Sequence, residues 1–204
     1  MTEADMQPKR FGDEDRKVQS KIVQKRDGWL ANLFYRLTGR ASVSRSWSRD
    51  PKPRLEFDLG ELTLNGVGVG QSARRLGDLR LGPATEVITG EHQHFDYDDL
   101  GLVIMAFETR GICEFVLHWY TGSMADSSFP GKMLFHGREV PLSAESTRAD
   151  VEEMFGTPTN VEEDKDEDYL CLEYKVDKGE LSFVFNEDGT VSFANGYAAW
   201  YLAD

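Results

Sequence analysis

The sequence predicts an α+β fold: two tandem β-α-β-β-β repeats, Leu62–Trp119 and Met133–Tyr197, forming an antiparallel sheet with short helices packed on one face. Three observations predict it: turn sequences that recur at a nearly constant spacing, a capped helical stretch in each copy, and apolar alternation of period two after each helix. Phe107-Glu-Thr-Arg-Gly111-Ile-Cys-Glu-Phe115 matches Phe185-Asn-Glu-Asp-Gly189-Thr-Val-Ser-Phe193 at an offset of 78, with a glycine where a hairpin wants a left-handed residue. The capped stretches, Ser72 to Pro83 and Thr147 to Pro158, match at an offset of 75.

Taken in chain order, residues 1–16 are charged and read as disordered. Residues 17–54 read as a basic arm in which Trp29, Leu30, Leu33, Phe34 and Leu37 share one helical stripe. Such an amphipathic helix would dock on the body, lie on a membrane surface or enter a partner's groove. Repeat 1 occupies 55–120, a polar Gly/Ser/Pro linker 121–132, and repeat 2 133–204. Leu62-Thr-Leu-Asn-Gly66 and Met133-Leu-Phe-His-Gly137 each read as a strand ending in a turn. Ser72 and Thr147 stand where an N-cap belongs, Leu76/Leu79 and Val151/Met154 follow at helical spacing, and Gly-Pro or Gly-x-Pro closes each helix.

Side chains alternate across a strand, so the matched copies predict which face is core. In repeat 1 this assigns Phe95, Tyr97, Val103, Met105, Phe107, Phe115, Leu117 and Trp119 to the helix-covered side. In repeat 2 it assigns Leu172, Tyr174, Leu181, Phe183, Phe185, Phe193, Asn195 and Tyr197. The opposite face then carries His94, Asp96, Ile104, Ala106, Glu114, Val116 and His118, with Glu173, Ser182, Val184, Ser192 and Ala194 from the second copy. An antiparallel sheet often leaves one side open to water, which makes this mixed face the place for a partner. The competing reading is a plain solvated sheet back.

The net charge of −13 is unevenly spread: residues 1–54 hold 13 Lys and Arg against 7 Asp and Glu, and the remainder 10 against 29. A body of net −19 repels nucleic acid and anionic lipid and attracts basic partners. No run of about 18 apolar residues occurs, and the polar, acidic start lacks the basic and apolar regions of a secretory signal, which predicts a cytoplasmic location. Cys113 and Cys171 sit in apolar-alternating segments and read as reduced core thiols.

Chemical motifs are few. Gly68-Val-Gly70-Gln-Ser-Ala73 has a dinucleotide-turn spacing, but its counterpart Arg138-Glu-Val-Pro-Leu-Ser-Ala has no glycine and no doubly wound pattern follows. His92-Gln-His94-Phe-Asp96-Tyr-Asp98 offers metal-compatible side chains on one side of a strand, and an enzyme or metal protein using His92, His94 and His118 is a further alternative. Glu162, Glu163, Asp164, Asp166, Glu167 and Asp168 crowd a hairpin end that lacks a calcium loop's glycine, so they read as a solvated end or as a dock for a basic protein. No nucleophile elbow, phosphate loop or zinc motif occurs, so no cofactor, metal or catalytic residue is assigned.

A short capped helix running into Gly-Pro or Gly-x-Pro, followed by a three-stranded meander and then repeated, resembles the tandem-repeat β-lactamase inhibitor proteins and the single-repeat small outer-membrane assembly lipoproteins. The likeness spans about residues 62–197 and departs from the pattern in lacking an export signal, a lipoprotein cysteine and the secreted inhibitors' cysteine framework. It implies a fold whose members bind proteins without a catalytic centre. The expected function is therefore a non-catalytic module, an inhibitor or immunity-type protein for a basic partner, docking through His94, Asp96, Ile104, Glu114, Val116, His118 and the acids of 162–168. The alternative is a peripheral membrane or scaffold protein anchored by Trp29–Leu37.

Overall fold

The computed structural model describes residues 43–89, 91–119, 127–164 and 169–202. The amphipathic stripe Trp29, Leu30, Leu33, Phe34 and Leu37 lies outside the described residues, as do Asp166, Glu167 and Asp168. Val43–Asp204 forms one compact unit.

Its architecture is mainly β, which corrects the α+β expectation: the strands build a five-stranded and an eight-stranded sheet. Strands β1 (Glu56–Asp58), β2 (Thr63–Leu64), β3 (Val67–Gly68), β8 (Lys132–Phe135) and β9 (Arg138–Val140) form the small sheet in the order β3-β2-β1-β8-β9. The large sheet has the order β10-β11-β12-β13-β7-β6-β5-β4. Its first half comprises β4 (Thr85–Thr89), β5 (His92–Tyr97), β6 (Leu102–Phe107) and β7 (Gly111–His118). Its second half comprises β10 (Asn160–Asp164), β11 (Tyr169–Val176), β12 (Gly179–Phe185) and β13 (Val191–Ala198). Each half is an antiparallel meander, and the halves join edge to edge where β7 pairs with β13. The element order that recurs is thus a hairpin, a helical turn and four strands, in place of β-α-β-β-β.

The hairpins β2–β3 and β8–β9 turn on Asn65-Gly66 and His136-Gly137, with positive φ at both residues, as type I′ turns require. The first helical stretch, Ala73–Leu79, is a 3₁₀ segment capped by Ser72, with Gly77 in its middle against the Trp47 indole. The second is an α-helix, α1 (Arg148–Phe155), whose Thr147 and Asp150 form a reciprocal capping box. Only two or three side chains of either segment reach the core, and the small sheet supplies much of the covering layer. Phe57, Leu59, Leu62 and Leu64 are fully buried against one face of the large sheet. The Phe57 ring meets Phe115 edge-on at 5.2 Å, and a side chain at Gly196 would collide with Leu62. Phe155 packs on Phe135, Tyr174 and Phe183, while Trp47 stacks on Phe95 at 5.6 Å in the first half.

Register settles the faces. Phe95 pairs with Ile104, which pairs with Phe115; Leu172 pairs with Phe183, which pairs with Ala194. Directly paired residues share a face, so Ile104 and Ala106 of β6 and Ala194 of β13 belong to the core. Val103, Met105 and Phe107, and likewise Phe193, Asn195 and Tyr197, point the other way. The expected assignments for these residues are reversed. Both halves carry a bulge, where Cys113 and Ser192 are skipped in the pairing. Counted along the core face, β12 follows β6 at an offset of 79 rather than 78, and a one-residue slip exchanges the two faces of a strand.

Candidate functional site: the open face of the large sheet

The face of the large sheet turned away from the small sheet is assembled as rows running across the strands. One row reads His94, Met105, Glu114, Tyr197, Glu180 and Lys175. The next reads Asp96, Val103, Val116, Asn195, Ser182 and Glu173. The third, over the second half, reads His118, Phe193, Val184, Cys171 and Glu162.

Of the sequence-predicted site residues, the fold brings His94, Asp96, Glu114, Val116 and His118 together on this surface, with Glu162 at its far edge. Ile104 is excluded, being wholly buried in the core. Glu163 pairs with Leu170 and takes the opposite side of β10 from Glu162, while Asp164 shares Glu162's side. Sequence reasoning missed Met105, Phe107, Phe193, Asn195 and Tyr197, all assigned to the core.

This surface concentrates the unusual burial of the molecule. Among the described residues, the buried polar side chains are Ser44, Glu114, His118, Ser146, Ser182 and Asn195. Ser44 ties its turn to β4 by donating to Glu86, and Ser146 serves its own loop, its Oγ accepting from Ser143 N at 3.0 Å. The other four all lie on the open face. The Tyr197 hydroxyl donates to Glu114, and burial together with that carboxylate holds its pKa far above the ordinary phenol range. His118 lies 5.7 Å from the Phe193 ring, and burial lowers its pKa, favouring the neutral imidazole. Asn195 Oδ1 is buried without a hydrogen-bond partner.

One corner of the face is aromatic. Phe107 contacts His92 at 4.1 Å, Trp200 at 5.7 Å and Tyr201 at 5.8 Å. Tyr201 stacks on Tyr197, and the Arg110 guanidinium sits 4.8 Å over the Trp200 ring. The turn after β13 therefore folds Trp200 and Tyr201 back onto the sheet. Cys113 and Cys171 are buried free thiols, pushed up by burial to about 12 and about 11, so neither is a thiolate at neutral pH. Among the described residues no three His, Cys, Asp or Glu side chains converge to hold a metal. No described helix is long and apolar enough to cross a membrane.

Burial, with Asp98 nearby, pushes Asp96 up to about 6 from an ordinary 3.8. The native state therefore holds a proton that the unfolded chain has released, and stability falls as pH rises through 4 to 6. Asp96→Asn is expected to raise the unfolding free energy at pH 8 by about 1 to 2 kcal/mol once partial solvent exposure is allowed for, with little change near pH 4. Urea unfolding at the two pH values checks this; an equal effect at both would refute the assignment.

No family model matches the chain, and no curated protein matches it. Among solved structures it is similar to a DUF4309 family protein (YjgB) from Bacillus subtilis, at 16% identity and a TM-score of 0.44, over 68% of this chain and 88% of that one. It is also similar to a cysteine-rich secretory protein from Staphylococcus aureus, at 16% identity and a TM-score of 0.44, over 74% of this chain and 54% of that one. The chain thus spans about half the length of the second. Neither is named for an enzymatic activity, and likeness at this level carries no functional argument.

Proposed function

We propose that the chain is a non-catalytic protein-binding module of the cytoplasm, of inhibitor or immunity type, that docks a basic protein on the open face of its large sheet. The observation that supports this reading is the make-up of that face: partly exposed Met105, Phe107, Phe193 and Tyr197 set among carboxylates. Large semi-exposed rings beside fixed polar groups are the composition of interface centres. In the three rows, Asp96, Glu114, Glu162, Glu173 and Glu180 stand against one lysine, Lys175, which favours a cationic partner. The pKa of Glu180 is raised, by burial first and Glu173 second, with Lys175 pulling it the other way. Two free, buried cysteines suit a reducing compartment.

The test pairs capture with a face variant. Tagged protein is used to capture partners from the native cell at low salt, beside Glu173→Lys/Glu180→Lys, both partly exposed and outside the core. A stoichiometric basic partner lost about tenfold or more in the variant is the expected result. Equal recovery by both proteins would reject the open face as the dock.

A further inference from the structure

The large sheet ends at β10, whose outer side pairs with no strand among the described residues. The hydrogen-bond pattern fixes which of its main-chain groups face that side. Trp119 N donates to Ser192 O, so Trp119, Leu117 and Phe115 bond across to Ser192, Ala194 and Gly196 of the β13 side. Carried across β12 and β11 by their registers, the alternation turns Cys171 and Glu173 toward β10. Thr159 N does donate to Glu173 O, at 2.7 Å. Asn160 and Glu162 therefore bond β11, and the N–H and C=O of Val161 point outward. An outward amide and carbonyl on an edge strand are a template for a further strand.

The side chains around Val161 are equally accessible. Val161 pairs with Leu172 and so lies on the core side of the sheet, yet it is 41% exposed, one of two large apolar residues so exposed among the described ones. It borders an open groove of about 390 Å³ shared with Arg148 and Glu152 of α1 and with Gly156, Thr157 and Pro158. The Arg148–Glu152 ion pair, at 2.7 Å, walls the groove on its helix side. Asn160, Glu162 and Asp164 stand on the other face of β10. A groove between a helix and an edge strand whose main chain turns outward is the setting in which an extended peptide adds to a sheet.

Charge selects the occupant. A second copy would add its own Glu162, Glu163 and Asp164 to these, and like charges on neighbouring strands repel. A strand of opposite charge gains instead. In antiparallel register a residue opposite Val161 shares its face and enters the groove, while residues opposite Glu162 and Asp164 lie on the other face. The matching segment carries a compact apolar residue opposite Val161, with lysine or arginine one and three places before it.

We propose that the outer edge of β10 binds an extended basic segment of another protein as a ninth strand, paired main chain to main chain at Val161, with an apolar side chain in the groove beside α1 and cations over Glu162 and Asp164. This pairing does not depend on the open face being a dock.

The probe is acetyl-Lys-Thr-Lys-Val-Thr-amide, titrated by NMR into the isotope-labelled full chain. Two twins accompany it, one with glutamate for both lysines and one with an N-methylated valine. The parent peptide is expected to shift the Val161, Gly156 and Thr157 amide signals, saturably. It should bind about fivefold or more tightly than either twin, one lacking the charge match and the other the donor to Val161 O. Val161→Pro removes the outward N–H, a change that an edge strand tolerates where that group faces away from the sheet, and is expected to lose about fivefold or more in affinity. Should this variant not fold, Glu162→Lys, on an exposed side chain, is expected to weaken the parent and favour the glutamate twin. No saturable shift at millimolar peptide, shifts confined to other residues, twins that match the parent, or affinity unchanged in whichever variant folds would overturn the edge site.

Discussion

Phe115→Ala is expected to cost about 3 to 5 kcal/mol of folding stability, a large share of the 5 to 15 kcal/mol that a domain usually has. Phe115 is fully buried, pairs with Ile104 on one side and Gly196 on the other, and meets Phe57 of the small sheet edge-on at 5.2 Å. It therefore belongs to the join between the halves and to the contact between the sheets at once. Gly196 brings no side chain to fill the space left behind, and Leu62 already occupies the room its missing side chain provides. Urea unfolding should show a lower midpoint with an unchanged slope. Phe193→Ala, on the open face, is the control and should cost less than about 1.5 kcal/mol, because its ring is partly exposed already. Similar losses in the two variants would mean that the core lies elsewhere than between the sheets.

The second large effect separates two glycines that look alike in sequence. Gly111 opens β7 and Gly189 stands in the turn before β13, each at the start of the last strand of a half, and both have positive φ, +84° and +80°. A methyl group on Gly189 would enter open space, so Gly189→Ala should cost about 1 kcal/mol, for conformation alone. On Gly111 the same methyl would lie 2.3 Å from the Gln71 carbonyl oxygen. That approach is held by backbone hydrogen bonds from Gly70 N to Ile112 O and from Ile112 N to Gln71 O, at 2.7 and 2.8 Å. Relieving the clash means breaking this pair, so Gly111→Ala should cost about 3 kcal/mol or more. Equal thermal or urea midpoints for the two variants would contradict the packing of residues 70–71 against β7.

The similarity of these glycines also explains why the repeat pattern in the sequence misassigns strand faces. Matching Gly111 to Gly189 brought Phe107 onto Phe185 and Phe115 onto Phe193, three agreements in nine residues. The pairing of Ile104 with Phe95 and of Phe183 with Leu172 shows that β12 corresponds to β6 one residue further along. Because strand faces alternate, that single step sent Phe107, Phe193, Asn195 and Tyr197 inward on paper and Ile104 outward. Ala194-Asn195-Gly196 held the warning: two small residues flanking a polar one fit a strand whose small side meets a closely packed layer. His94, Asp96, Glu114, Val116 and His118 do lie on the outer face, because the alternate residues Phe95, Tyr97, Phe115, Leu117 and Trp119 are the large apolar side chains that fill the core. The fold class was less accessible. The small sheet consists of strands two to four residues long, too short to display a period, and they come together only through the parallel pairing of β1 with the distant β8.

The seam between β7 and β13 has a consequence for assembly. A four-stranded half taken alone would end in a bare edge eight residues long, able to recruit the same edge of another molecule. Carrying both edges in one polypeptide replaces that bimolecular encounter with an internal one, at an effective concentration of about millimolar or higher whatever the abundance of the protein. What would otherwise be a homodimer that dissociates on dilution becomes a permanent pair, and its two halves are free to diverge on either side of the join.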